Sequence, residues 1–161
     1  TEFEGIQAHL WSEIVRHDDV AFYMYFPRLI SFAQQAWHKP EWQTQVADLK
    51  DEELKQKINQ QWRAFSSALV SKQFSRLSKQ DIPFRIAPPG AVVQQGKLHI
   101  NHLFDGMQLQ YKAPSGEWQT YLNPISVNQP ISIRAMLPNT QEVSSVMTVN
   151  STNEVKRGNG E

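Results

Sequence analysis

Trp11 and Glu13 are the residues of this chain whose types and spacing best suit ligand chemistry. They directly follow residues 6–10, where apolar and polar residues alternate, so we predict a short strand that ends at a loop. At a strand end, an indole offers a flat apolar wall and a carboxylate offers a hydrogen-bond acceptor. That pairing suits a sugar. From the residues alone, a core tryptophan beside a solvated glutamate remains an open alternative.

Two other groups of side chains could bind a ligand. His99 and His102 lie three apart in a predicted strand, so they should face opposite ways and not share a metal. Tyr111, Trp118 and Tyr121 could form a sugar-stacking surface, although cross-strand packing is the commoner use of such residues. We therefore predict no metal site and no cofactor.

Composition limits the classes of function. The 161 residues carry 16 Lys and Arg against 16 Asp and Glu, so net charge gives no case for nucleic-acid binding. No apolar run approaches the roughly 18 residues of a membrane span. The absence of cysteine excludes disulfides and thiolate metal sites but leaves the compartment open.

The first 82 residues carry helical patterns after the predicted strand. We expect a helix after Asp18-Asp19, a break near Phe26, and a second helix that starts at Pro27 and ends before Lys39-Pro40. The next helix should begin at Asp48 or Asp51 and bury one apolar face, with Trp62 among its most buried side chains. The residues of that face are Leu54, Ile58, Trp62, Phe65 and Leu69. Ser71 is predicted to cap a further short helix that buries Phe74 and Leu77.

From Phe84 onward the period of the pattern changes to two. We predict a turn at Pro88-Pro89-Gly90, strands over 97–101, 107–112, 131–137 and 143–149, and a hairpin from Pro114-Ser115-Gly116 into 118–122. Short antiparallel strands of this kind favour a small β-sandwich over residues 83–150. The polar residues 151–161 are predicted to form a disordered tail.

Three segments resemble glycoside hydrolase family 20, in particular bacterial chitobiases. They read WSEIVRHD, FPRLISFAQQAWHKPEW and WRAFSSALVSKQFSRLSKQDIPFRIAPPGA, in the order found in the family. The resemblance implies an α+β fragment: residues 1–82 would be the last β/α unit and helices of a (β/α)8 TIM barrel, followed by an Ig-like antiparallel β-sandwich. Because the chain runs from TEFEG almost directly into a strand, we expect a missing upstream portion. The strand should be unstable without its barrel neighbours.

The resemblance also implies roles for individual residues. Trp11 would form an aromatic wall around a terminal N-acetylhexosamine, and Glu13 would accept hydrogen bonds from its outer hydroxyls. Arg28 would make an ion pair that holds its helix to the barrel. Family members often read Ala-Glu-Arg where this chain has Ala33-Gln34-Gln35, so neither glutamine is assigned a function.

The family's catalytic pair is an adjacent Asp-Glu, in which Glu is the general acid and Asp orients the substrate's own acetamido group. Here acidic residues adjoin only at Asp18-Asp19 and Asp51-Glu52-Glu53, which start predicted helices and lack the motif's context. We therefore assign no catalytic residue.

Two functions follow as expectations. The first is the C-terminal portion of an exo-acting β-N-acetylhexosaminidase that acts on chitooligosaccharides, is inactive alone, and has the upstream barrel as its partner. Such an enzyme would be periplasmic or extracellular in a bacterium. The alternative is a non-catalytic interaction or carbohydrate-binding module with a helical linker.

Overall fold

The computed structural model describes residues 5–150 together with the backbone of 155–156. Within these residues the helices come first and antiparallel strands follow. The helices are α1 (Asp18–Tyr25), α2 (Arg28–Trp37), α3 (Asp51–Ala68) and α4 (Ser75–Lys79), with a 3₁₀ turn at Glu41–Thr44 and a π-helical segment at Leu69–Phe74.

Helices α1 and α2 are separated at Phe26-Pro27, as the sequence predicts. Asp18 and Asp19 lie in the first turn of α1, where carboxylates favour the positive end of the helix dipole. Pro27 directly precedes α2 and is not its first residue. Because proline has no N–H to donate, the backbone changes direction here and a new helix begins.

The strand predicted over residues 6–10 is wrong. Residues 5–12 form irregular chain, followed by a turn in which the Val15 N–H donates to the Ser12 carbonyl at 3.0 Å. A strand of a parallel sheet needs neighbours that accept and donate its backbone hydrogen bonds. Among the described residues, every strand lies beyond residue 89, in two separate sheets.

The helix predicted to begin at Asp48 or Asp51 begins at Asp51 and continues to Lys79. The separate helix capped by Ser71 is therefore wrong, because the Ser71 hydroxyl donates to the Ser67 carbonyl at 2.7 Å inside the continuous helix. The π-helical segment between α3 and α4 has a wider turn, since its hydrogen bonds join residues five apart. It places Leu69, Val70 and Phe74 on the buried side.

The prediction that Trp62 is among the most buried side chains is also wrong. Its side chain is 38% exposed, whereas Phe74 is 0% exposed. The apolar face of α3 extends beyond the surface that the sheets cover, so Ile58 is exposed as well. Trp62 lies at the rim of the core, with its ring centroid 6.0 Å from that of Phe104.

The strands form two antiparallel sheets, which agrees with a β-sandwich. One sheet has the order β1-β2-β5 and the other β4-β3-β6-β7-β8. Their bounds are β1 (Gly90–Gln94), β2 (Lys97–Asn101), β3 (Gln108–Lys112), β4 (Gln119–Thr120), β5 (Ile125–Ser126), β6 (Ile131–Met136), β7 (Met147–Val149) and β8 (Val155–Lys156). The predicted strands over 97–101 and 131–137 and the hairpin at 114–116 are confirmed.

Two parts of the β region differ from the sequence prediction. The turn was predicted at Pro88-Pro89-Gly90, but Gly90 is the first residue of strand β1. This strand was not predicted. The turn that joins β1 to β2 lies at Gln95 and Gly96, which have φ of 52° and 72°. Two consecutive positive φ values suit a tight hairpin, and this turn sets the β1–β2 register. Residues 143–146 are joined to β6 by a bridge between Val143 and Met136 and by Ser144, whose Oγ accepts from the Ala135 N–H at 2.9 Å.

Two apolar clusters hold these elements together. The helix-side cluster joins the helix from Leu69 to Leu77 to the sheets and contains Leu69, Val70, Phe74, Leu77, Phe84, Ile86, Phe104, Ala135 and Leu137. The sandwich cluster lies between the sheets and contains Leu98, Ile100, Val127, Ile131, Ile133, Met147 and Val149. Leu109 packs against both clusters. The predicted domain boundary at 82/83 therefore runs through the helix-side cluster.

Within the stretch predicted to be a disordered tail, Val155–Lys156 pairs with β7. The rest of residues 151–161 lies outside the described part of the chain, as does the segment 1–4.

Candidate functional site

Trp11 lies at the mouth of a cavity of about 550 Å³ between the irregular chain at residues 8–11 and helices α1 and α2. We call this the Trp11 cavity. The indole is 79% exposed and stacks on the His9 ring at a centroid distance of 6.2 Å. The other lining residues are mainly apolar and come from the two helices: Met24, Tyr25, Arg28, Leu29 and Phe32, with Ala8 and Leu10 from the irregular chain. The cavity thus offers an aromatic wall beside one cation.

Glu13 does not line the Trp11 cavity. It lies in the exposed turn that follows Trp11. The structure therefore brings one of the two predicted substrate-binding residues to a cavity and leaves the other in solvent.

Arg28 does not make the predicted ion pair with any described residue. Its Nη1 donates to the Met24 carbonyl at 2.9 Å, one turn earlier in the chain. This bond satisfies a carbonyl near the end of α1, where a cation also complements the helix dipole. Arg28 thereby joins α1 to α2 across the Phe26-Pro27 break.

A second cavity, of about 270 Å³, lies between α2, the 3₁₀ turn and α3, and we call it the α2–α3 cleft. Trp42 and Trp62 contribute its indole rings. Trp42 Nε1 donates to Gln61 Oε1 at 2.8 Å, and Trp62 Nε1 donates to the Leu103 carbonyl at 3.2 Å. The full lining is Ser31, Gln34, Gln35, Trp42, Gln43, Ile58, Gln61, Trp62 and Phe65. The sequence alone does not indicate this cleft, because its residues come from separate elements and share no motif.

The two histidines of the β region have different surroundings. His102 lies beyond the end of β2, with Nε2 2.8 Å from the Ala87 carbonyl and Nδ1 accepting from the Phe104 N–H at 3.0 Å. Backbone groups thus occupy both of its ring nitrogens. His99 is opposite Val92 in the β1–β2 ladder. In residues 5–150, no three His, Asp or Glu side chains cluster in a way that could hold a metal ion.

The three aromatic residues considered as a sugar-stacking surface do not share one. Tyr111 and Tyr121 pack against the sandwich cluster. The Tyr121 hydroxyl accepts from the Ile100 N–H at 3.1 Å and donates to the Leu98 carbonyl at 3.3 Å, which ties the two sheets together. The Trp118 ring instead packs against cations, with Arg134 Cζ 4.1 Å and Lys112 Nζ 5.1 Å from its centroid. Packing accounts for all three side chains.

The adjoining acidic residues lie at the starts of helices, as predicted. Asp51, Glu52 and Glu53 occupy the first turn of α3, and Glu53 Oε2 accepts from the Lys50 N–H at 3.4 Å. Glu52 pairs with Lys55 at 2.9 Å, on the exposed surface. Neither these residues nor Asp18 and Asp19 line the Trp11 cavity.

Two parts of the chain match known protein families. Residues 73–146 match the chitobiase/beta-hexosaminidase C-terminal domain, and residues 1–40 match the catalytic domain of glycosyl hydrolase family 20. The chain belongs to glycoside hydrolase family 20. The catalytic-domain match includes Trp11, Glu13 and Arg28, and the C-terminal-domain match starts inside the π-helical segment.

Individual family 20 relatives extend the similarity across most of the chain. The N,N'-diacetylchitobiase of Vibrio harveyi is 35% identical over 158 residues, which cover 91% of this chain and 18% of the relative. The beta-hexosaminidase of Vibrio vulnificus is 31% identical over 134 residues, covering 74% of this chain and 16% of the relative. Beta-hexosaminidase B of Pseudoalteromonas piscicida is 52% identical over 42 residues, covering 26% and 5%. The chain therefore spans less than a fifth of the length of these relatives.

In the described part of the chain, no helix combines the length and apolarity needed to cross a bilayer.

Proposed function

We propose that this chain is the C-terminal portion of an exo-acting β-N-acetylhexosaminidase that removes terminal N-acetylhexosamine from chitooligosaccharides. The observation that carries the proposal is the catalytic-domain match over residues 1–40, which contains Trp11 at a cavity of about 550 Å³. Relatives named as a chitobiase and a hexosaminidase support the same class of substrate. The reaction would be retaining and substrate-assisted, with the acetamido group of the substrate attacking the anomeric carbon.

In this proposal Trp11 and Glu13 bind the sugar and do not catalyse. The apolar indole face covers the sugar ring and excludes water, while the Glu13 carboxylate accepts hydrogen bonds from outer hydroxyls. The general acid and the Asp that orients the acetamido group would come from the rest of the catalytic domain. Without that acid the departing oxygen stays unprotonated, so this chain alone should be inactive.

The surface of residues 6–37 supports the presence of such a partner. Large apolar side chains are exposed along this segment, and α1 and α2 contain no buried residue. A high density of exposed apolar side chains along one segment favours an interaction site. We propose that the remainder of the catalytic domain covers it, that residues 1–82 complete a (β/α)8 barrel there, and that Glu13 reaches the substrate in that assembly. The exposed side chains are Ile6, Trp11, Ile14, Val20, Phe22, Tyr23, Tyr25, Leu29 and Trp37. A periplasmic or extracellular location would suit the polymeric source of the substrate.

Kinetics of the full-length enzyme test the sugar-binding roles. Glu13→Gln should lower kcat/KM on an aryl N-acetyl-β-glucosaminide by about 10- to 150-fold, because a hydrogen bond to a charged acceptor contributes roughly 1.5–3 kcal/mol. Trp11→Ala should lower it by a comparable or larger factor. Trp118→Ala, outside the catalytic-domain match, is the control and should leave kcat/KM near the wild-type value. Wild-type kinetics for both Trp11→Ala and Glu13→Gln would contradict the assignment.

The chain by itself provides the second test. The 161 residues should release no aryl group above background, and turnover would refute the missing-acid argument.

A non-catalytic interaction or carbohydrate-binding module is the second candidate function. It is favoured by the two apolar clusters, whose buried members all lie between Leu69 and Val149, outside the catalytic-domain match. If the full-length protein has no hydrolytic activity on any aryl N-acetylhexosaminide, this module is the better interpretation.

A further inference from the structure

The α2–α3 cleft has the chemistry of a binding site that the proposed hydrolysis does not use. It shares no lining residue with the Trp11 cavity. Its volume of about 270 Å³ lies near the lower end of the roughly 300–1,000 Å³ range of small-molecule pockets. The space therefore suits one ring-sized unit and not an extended chain.

The lining of the cleft contains no charged side chain. Its nine residues are four glutamines, two tryptophans, one serine, one isoleucine and one phenylalanine. Charged residues make up 20% of the chain, and none of them lines this space. An ionic ligand would leave its charge without a partner there, which is costly in a partly buried site. The ligand class that fits is neutral and rich in hydrogen-bonding groups.

The amides of the cleft can form hydrogen bonds with a ligand. Each Gln amide offers two donors and one acceptor oxygen, which match hydroxyl and acetamido groups. Gln61 Oε1 already accepts from Trp42, so its NH₂ group remains available to a ligand. Gln34 and Gln43 have no side-chain hydrogen-bond partner among the described residues, and Gln34 is half-buried.

The two indoles are fixed by bonds within the protein. Both N–H groups are already donated, to Gln61 Oε1 and to the Leu103 carbonyl, so the rings present apolar surface to the cleft. Trp62 is further held by Phe65 and Phe104, at centroid distances of 5.8 and 6.0 Å. A rigid aromatic surface loses little conformational entropy when a ligand packs on it.

We propose that the α2–α3 cleft binds one unit of a neutral saccharide, with its C–H face on Trp62 and its polar groups on Gln34 and Gln61. The site would hold sugar without cleaving it, since the cleft contains no group that could act as a general acid or base. Gln34 and Gln35 contribute amides and no charge to the lining of this cleft.

Indole N–H signals of the full 161-residue chain provide the test. The five tryptophans give five signals, which single Trp→Phe variants would assign. Titration with N-acetylglucosamine should shift the Trp42 and Trp62 signals saturably, and equal concentrations of glucuronate should shift them less. Absence of a saturable shift at Trp42 and Trp62 would overturn the proposal. Shifts confined to Trp11 would overturn it too, and would instead support sugar binding in the Trp11 cavity.

Two matched variants separate binding from structure. Gln61→Glu keeps an acceptor for the Trp42 N–H but removes the amide donors, so affinity should fall roughly tenfold, the equivalent of about one hydrogen bond. Gln60→Glu makes the same charge change on the exposed part of α3 next to it and should bind like the wild type. Gln34→Ala, on α2, should also weaken binding. Unchanged affinity in both Gln61→Glu and Gln34→Ala would overturn the assignment of the amides.

Discussion

At the scale of single residues, Phe74 and Trp62 show how one helix gives similar side chains different environments. Phe74 is fully buried, stacks on Phe84 at 4.8 Å and meets Phe104 edge-on at 5.8 Å. Trp62, three turns earlier, contacts Phe104 from the rim and stays partly in solvent. The stability of the chain should therefore depend more on Phe74, near the C-terminal end of the helix, than on Trp62, near its middle.

Substitution of these two residues checks that difference. Phe74→Ala removes a large ring from a packed interior and should lower the free energy of unfolding by about 3–5 kcal/mol. Trp62→Ala removes a ring that water already reaches and should cost clearly less. Urea unfolding of both variants measures the two values. A larger loss for Trp62→Ala would contradict the burial described here.

The candidate site was only partly predictable from single residues. Trp11 could be found because an indole next to a carboxylate is a recognisable local pattern, and its cavity was formed by helices that the sequence also indicated. Gln34, Trp42 and Gln61 could not be found in this way. Each is ordinary in its local sequence, and only the approach of α2 to α3 makes them neighbours. The ion pair predicted between Arg28 and the barrel stays a prediction, and within the described residues the Arg28 guanidinium donates to the Met24 carbonyl.

At the scale of elements, the β1–β2 hairpin depends on the conformation of its two turn residues. Gly96 has φ of +72°, and a Cβ built there would meet no atom within 4 Å. Gly96→Ala should therefore act through the backbone alone and cost about 1–2 kcal/mol, the penalty of a left-handed conformation for an L-residue. Thermal unfolding measures the change. Gly116→Ala, where a Cβ would make ordinary contacts at 3.6 Å, should be close to neutral, and equal losses in the two variants would disprove this reason.

Helices and strands were predictable from the sequence where one face is buried. They were not predictable where contacts with other elements determine the secondary structure. Strand β6 alternates buried and half-buried residues along its whole length, so its period of two was visible in the sequence. The irregular segment at residues 6–10 has the same kind of alternation, but no described strand pairs with it. The continuous helix from Asp51 to Lys79 escaped prediction because the π-helical segment shifts the apolar face, which made one helix look like two.

At the scale of the whole molecule, the two apolar clusters predict unequal resistance to opening. Residues 69–149 contribute all members of both clusters, whereas α1 and α2 bury no residue completely. Phe26 and Ile30 pack only against the outside of the helix-side cluster. Amides of α1 and α2 should thus exchange with deuterium well before those of β6. Mass spectrometry of peptides from timed exchange measures this order, and equal protection of α2 and β6 would contradict it.

The hydroxyl of Tyr121 has a consequence for association between molecules. Strand β5 covers β2 only at Lys97 and Leu98, so the remaining outer side of β2 has no described strand beside it. The Tyr121 hydroxyl occupies the Leu98 carbonyl and the Ile100 N–H on that side. Unpaired backbone groups on a strand edge are a template for pairing with another chain.

Removing this hydroxyl should therefore increase self-association in concentrated solution and change the fold little. Tyr121→Phe should scatter more light with rising protein concentration than Tyr111→Phe, which loses a hydroxyl that donates only to the Gln119 side chain at 2.8 Å. Equal scattering by the two variants would contradict the expectation. One phenolic oxygen, in a position that a neighbouring strand could otherwise occupy, then acts as a barrier against edge-to-edge aggregation.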